Sequence, residues 1–134
     1  MNEYAERMRG NIDPATGILS ANYQITDGYT DTTSTVTVPA CSDATNCTSD
    51  EMANVDKAQW TNTLRRRLPG GGAYVEQNGL TADIWILWQE PDLRIDASNT
   101  LSVAATGGSQ CPAAALSGYS GTITPVCMYY RVSI

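Results

Sequence analysis

Apolar residues at Trp60, Leu64 and Leu68 recur at helical spacing, and Pro69 with Gly70, Gly71 and Gly72 then forbids a further turn. The pattern changes at once to period two. Tyr74 to Gln77 and Leu80 to Gln89 are rich in β-formers and flank Asn78-Gly79, the pair that best accepts the positive φ angles of a two-residue hairpin turn. Upstream, Thr48-Ser49-Asp50-Glu51 has the form of a capping box. A helix is therefore predicted over 49–68, with acids in its first turn and Arg65, Arg66 and Arg67 in its last, a placement that suits the helix dipole.

The flanks read less sharply. Tyr4, Met8 and Ile12 share one helical face, with Glu3, Glu6, Arg7 and Arg9 spread over the others, so 2–12 reads as a helix ended by Asp13-Pro14. A helix this short is marginal alone and must pack on the domain or continue a longer one. From Ala15 to Ala40 a long connection is expected, with short strands at Thr35 to Val38 and around Tyr23 to Ile25. Beyond Pro91-Asp92, weaker strand signals fall at Leu93 to Ala97 and Leu101 to Ala105. The last run, Thr122 to Ile134, alternates as a strand, and Pro125 implies an edge position or late pairing. These elements predict one α+β domain, in which the first helix packs through Tyr4, Met8 and Ile12 on an antiparallel sheet of about four to six strands. Its parts are the first helix (1–12), a connecting region (13–48), the second helix (49–68) and the sheet region (73–134).

Composition narrows the function. A length of 134 residues supports one domain with a real core. Net charge −6 disfavours nucleic acid as a partner, because phosphate backbones are held by a surplus of Lys and Arg. The chain has no His, the commonest general base near neutral pH and a frequent metal ligand. Its four cysteines lack a CxxC element, so disulfides are expected. Three connectivities exist. Two sequential pairs that each close a short polar loop, Cys41–Cys47 and Cys111–Cys127, are the most economical. Disulfides imply the periplasm or cell exterior. No signal peptide is recognisable, and Ile84 to Trp88, the longest dense apolar stretch, is far below the roughly 18 residues that span a bilayer. The chain is accordingly expected to begin within something longer, its export segment removed.

Candidate chemistry meets a structural explanation at each point. Arg65, Arg66 and Arg67 are a candidate ligand patch, but helical geometry splays them by about 100° per residue. Asp83 and Glu90 are too far apart along a strand for a glycosidase pair. Trp85 and Trp88 fall on opposite faces, so at least one belongs to the core. Gly70 to Gly72 follows a helix instead of opening one and is no phosphate loop. Asn46-Cys47-Thr48 matches a glycosylation sequon with a cysteine at its centre. Asp27, Asp31 and Asp43 lack EF-hand spacing. No cofactor or metal is indicated.

Three features in this order resemble the minor pilins of type IV pili, specifically the PilV type, or type IV pilus modification protein. They are the opening NEYAERMRGNI, similar to the end of the long N-terminal pilin helix; the segment WTNTLRRRLPGGG; and the apolar run Ile84 to Trp88 followed by a C-terminal Cys and a Tyr-Arg-rich last strand. The resemblance implies a pilin-like fold whose missing upstream half-helix anchors it in the inner membrane before it passes into the extracellular fibre. It implies a non-enzymatic role: joining other minor pilins and the major pilin in a tip or priming complex that starts assembly and supports a tip-associated adhesin. Glu3, Glu6, Arg7 and Arg9 are then the candidate partner contacts. A DNA- or glycan-binding pilin and a type II secretion minor pseudopilin are the alternatives.

Overall fold

A computed structural model describes residues 3–41, 46–90 and 111–134. Helix α1 spans Glu3–Gly10 and helix α2 spans Ser49–Arg67; strands β1 (Gly72–Asn78), β2 (Thr81–Trp88) and β3 (Val126–Ser133) form an antiparallel sheet in that order. The molecule is thus α+β, with three strands among the described residues where about four to six were expected. Leu93 to Ala97 and Leu101 to Ala105 lie outside the described residues.

Helix α2 starts where its sequence dictates. The Thr48 hydroxyl accepts from the Glu51 N–H and the Glu51 carboxylate accepts from the Thr48 N–H, satisfying two otherwise unpaired groups. At the other end Arg67 is the last helical residue, the Gly71 N–H bonds the Leu68 carbonyl, and Gly70 takes φ +57°. A side chain at Gly71 would strike the Leu64 carbonyl, so the stop needs glycine there.

The hairpin turn is displaced by one residue from its expected centre. Asn78 pairs with Thr81, which leaves Gly79-Leu80 as the two central residues, and only Gly79 has positive φ, at +60°. This is the pattern of a type II′ turn, where the first central position alone requires it. Asn78 therefore stays in the strand, and its carbonyl accepts from the Thr81 hydroxyl.

The two expected strands of the connecting region also resolve differently. Ala21–Tyr23 is a single 3-10 turn capped by Ser20, after which only Ile25 bridges to the sheet, at Val75. Thr35 to Val38 joins no ladder. Instead the Asn62 amide takes both main-chain groups of Val36, accepting from its N–H at 2.7 Å and donating to its carbonyl at 2.8 Å. One side chain on α2 thus replaces the strand partner that the alternation anticipated.

The sheet is packed on both faces. Val75, Ala82, Ile84 and Ile86 face the helices and share a core with Tyr4 and Met8 of α1 and Ala53, Trp60 and Leu64 of α2. Tyr4 and Met8 are fully buried, but Ile12 is not part of that core. The helix stops at Gly10, a poor helix former, and Ile12 makes an isolated bridge with Leu19 while keeping partial exposure. On the opposite face Tyr74, Leu87 and Cys127 pack with Tyr29 and Ala115. Trp88 packs on the first face and Trp85 on the second, as their odd spacing requires.

The disulfides are Cys41–Cys47, with Cα atoms 6.1 Å apart, and Cys111–Cys127, at 5.2 Å. The second ties the 111–119 segment to β3 and so to the sheet face that Tyr29 and Ala115 cover.

Buried phenols give the fold a pH limit. Burial raises the pKa of Tyr29 and Tyr130 to about 12, and burial is also the main cause of larger upward shifts at Tyr4 and Tyr23. A raised folded-state pKa leaves stability intact below the unfolded value of about 10 and erodes it above. Between that value and its own folded-state pKa, each of these tyrosines should remove about 1.4 kcal/mol per pH unit. Base titration should therefore show tyrosinate absorbance rising together with loss of folded circular dichroism above pH ~10. Ionisation spread evenly over a folded protein would contradict this.

Candidate functional site: the first helix and the surfaces beside it

The sequence directs four charged residues of α1 outward, but the structure divides them. Glu6 and Arg9 pair at 2.5 Å on the exposed side, with side chains 63% and 41% accessible, and Arg9 also donates to the Ser133 carbonyl at the end of β3. Glu3 lies half exposed against Arg7. Arg7 itself turns inward and donates to Asp56 at 2.7 Å and to Gln59 at 2.8 Å. It is a structural cation, and its cause is Asp56.

Asp56 occupies the apolar face of α2, one helical turn before Trp60, and is buried. Its second oxygen accepts from the Tyr23 hydroxyl at 2.6 Å, while Asn11 donates to that hydroxyl and to the Ser49 carbonyl. The Tyr4 hydroxyl donates to the Tyr23 carbonyl, and the Tyr4 ring stacks on Trp60 with centroids 4.1 Å apart and planes 10° apart. Thus α1, the 3-10 turn and α2 are joined through one buried polar cluster and one aromatic stack. Sequence reasoning missed Asp56 and Tyr23. The signal for Asp56 was an acid at i−4 from Trp60 on a stripe otherwise used for packing; Tyr23 carried none.

The three arginines at the end of α2 do not form a patch. Arg65 donates to the Ser34 carbonyl and lines a cavity, Arg66 reaches Thr63, and Arg67 lies on an apolar groove of about 250 Å3 with Glu3, Trp60, Leu64, Trp88 and Met128. Their divergence follows from helical rotation.

The outer face of the sheet carries two rows in register, Tyr74–Trp85–Tyr129 and Glu76–Asp83–Arg131. Neighbouring aromatic rings in the first row lie 5.8 and 5.0 Å apart. Arg131 grips Asp83 with both arms, at 2.7 and 2.8 Å, and the Tyr129 hydroxyl donates to the same carboxylate. The Arg131 bonds, and after them Tyr129, hold the Asp83 pKa below the usual carboxylate range. Asp83 is consequently engaged as an ion-pair member.

The remaining acids disperse. Asp27 lines the cavity with Arg65, Asp31 accepts from Gln89, and Asp43 lies outside the described residues. Among the described residues no group of three or more His, Cys, Asp or Glu gathers as a metal site, and no helix is long and apolar enough to cross a membrane. Comparison with models of protein families, with curated proteins and with solved structures returns no match.

Proposed function

We propose that this chain is the globular part of a minor pilin of the PilV type, a non-enzymatic subunit that joins other minor pilins in a tip or priming complex and supports adhesin display. The observation that carries the reading is the fastening of α1: Arg7 and Tyr23 on one Asp56 carboxylate, beside the Tyr4–Trp60 stack. A subunit held in a fibre through its first helix must pass force and orientation from that helix to its sheet. Buried hydrogen-bonded charge and close aromatic packing resist relative movement of the joined elements. The α+β architecture and the two disulfides accord with such a subunit working outside the cytoplasm.

Glu3, Glu6 and Arg9 are the α1 side chains left toward solvent for neighbouring pilins, and the apolar groove that begins at Glu3 adjoins them. The partners in this reading are minor and major pilins and a tip-associated adhesin, with the inner membrane reached through an upstream helix. The test is co-purification of the chain, joined to a pilin-type upstream helix, with other minor pilins. The reading expects a complex, weakened by Glu6→Arg while the domain stays folded. Capture of none of those pilins would overturn it.

A further inference from the structure

The edge of β1 is paired at Val75 and open on either side of it. Val75 exchanges both main-chain hydrogen bonds with Ile25, at 3.1 and 2.8 Å, so its N–H and carbonyl point away from β2. Strand geometry turns the main chain of Ala73, two residues earlier, to the same side. No residue pairs with it there among the described residues. Past Ile25 the connecting chain leaves the edge, and Tyr29 bonds through its N–H to the Ala115 carbonyl instead. The space left is a cavity of about 450 Å3, bounded by Ala73, the 25–39 loop and one face of α2. That volume lies in the range of pockets that hold small ligands.

The α2 wall is a stripe at helical spacing, with Asn54, Lys57, Ala58, Thr61 and Arg65 all facing the cavity. Lys57 is the chain's single lysine, and its one hydrogen bond is a long 3.5 Å contact to the Gln24 carbonyl. Arg65 spends one nitrogen on Ser34, and its Nε is buried without a hydrogen-bond partner. Neither cation forms an ion pair with a carboxylate among the described residues, and Asp27 is the one acid on the lining. In a chain of net charge −6 this is a local cationic pocket beside an unpaired main-chain donor and acceptor.

We propose that the cavity receives a short extended peptide segment of a partner protein carrying an acidic side chain. One peptide residue pairs its main chain with Ala73, as Ile25 does with Val75, and the carboxylate beside it meets Lys57 and Arg65. An anion without a peptide backbone would leave the Ala73 pair unused, and a neutral strand would leave the cations unused; the combination selects an acidic strand. The inference rests on this cavity and is independent of the pilin reading.

The probe is acetyl-Thr-Glu-Thr-amide, titrated into 15N-labelled protein and followed by amide NMR. The expected result is a saturable shift of Ala73 and its neighbours. Changing the peptide's Glu to Gln, methylating its main-chain nitrogens, or substituting Lys57→Gln should each weaken binding about tenfold, the scale of one charge-assisted or main-chain hydrogen bond. Lys57→Gln should leave the rest of the spectrum in place, which separates lost binding from lost fold. Equal affinity for the Gln peptide, or an unmoved Ala73 at millimolar peptide, would overturn the proposal. Equally tight binding of glucuronate or inorganic phosphate at the same amides would also overturn it.

Discussion

Alanine at Asp56 is expected to destabilise the domain by about 3 kcal/mol, because it removes the shortest hydrogen bond of a part-buried arginine and of a buried phenol at once. Arg7 would retain Glu3 and Gln59, but the contact that draws it inward would be gone. Tyr23 would keep its Asn11 contact and a longer one to the Arg7 carbonyl, at 3.3 Å, and lose its acceptor at 2.6 Å. Urea unfolding followed by tryptophan fluorescence measures the effect as a lower midpoint at unchanged slope. Coupling should appear in a cycle with Tyr23→Phe: the second change should cost much less once Asp56 is absent. A loss below about 1 kcal/mol, the size of an exposed pair, would mean that solvent already screens the cluster.

Trp60→Ala should cost more, about 4 kcal/mol, in the range for deleting a large aromatic from a packed core. Trp60 is only 3% exposed and touches both helices' share of the core, so its removal opens a cavity and ends the stack on Tyr4. That stack adds about 1 kcal/mol beyond the area it buries. Thermal unfolding should show the drop, and near-ultraviolet circular dichroism should lose the signal of the paired rings. Trp85→Ala is the control, since Trp85 lies half-buried in the outer aromatic row between Tyr74 and Tyr129. Its loss should be clearly smaller; equal losses would place the stabilising aromatic core on the wrong face of the sheet.

What the sequence disclosed was local. The capping box at Thr48, the stripe Trp60–Leu64–Leu68 and the stop after Pro69 are set by neighbouring residues, and each stands in the structure within a residue of its expected place. Alternation in 126–133 likewise settles which side chains face the helices. What stayed hidden depends on distant partners. Thr35 to Val38 has the alternation of a strand, but the Asn62 amide holds the main chain of Val36 in place of a ladder partner. Ile12 fits the helical stripe of Tyr4 and Met8, yet the chain has already turned at Gly10 toward the bridge with Leu19. The hairpin was legible to one residue, because both Asn78 and Gly79 accept positive φ and the choice falls to the pairing register.

The candidate site divides along the same line. Glu3, Glu6 and Arg9 face outward as helical rotation requires, whereas Arg7 is drawn inward by an acid 49 positions away. The three arginines at 65–67 look alike in sequence and have three different surroundings, because their rotation about α2 points one at the loop, one at solvent and one at the groove. The open edge at Ala73 leaves no mark in the sequence at all; it comes from the way the connecting chain leaves β1 after Ile25.

Native-state hydrogen exchange at the amides of Met8 and Arg9, compared with those of Ile84 and Ile86 in the central strand, tests most directly whether α1 and the sheet are one body. If the Asp56 cluster and the Tyr4–Trp60 stack fasten the helix, both sets of amides exchange only through global opening, with the same opening free energy and the same response to denaturant. Exchange of the helical amides through a separate opening, lower in free energy and insensitive to denaturant, would contradict the account: α1 would then detach from a folded sheet and could not carry load or orientation into it.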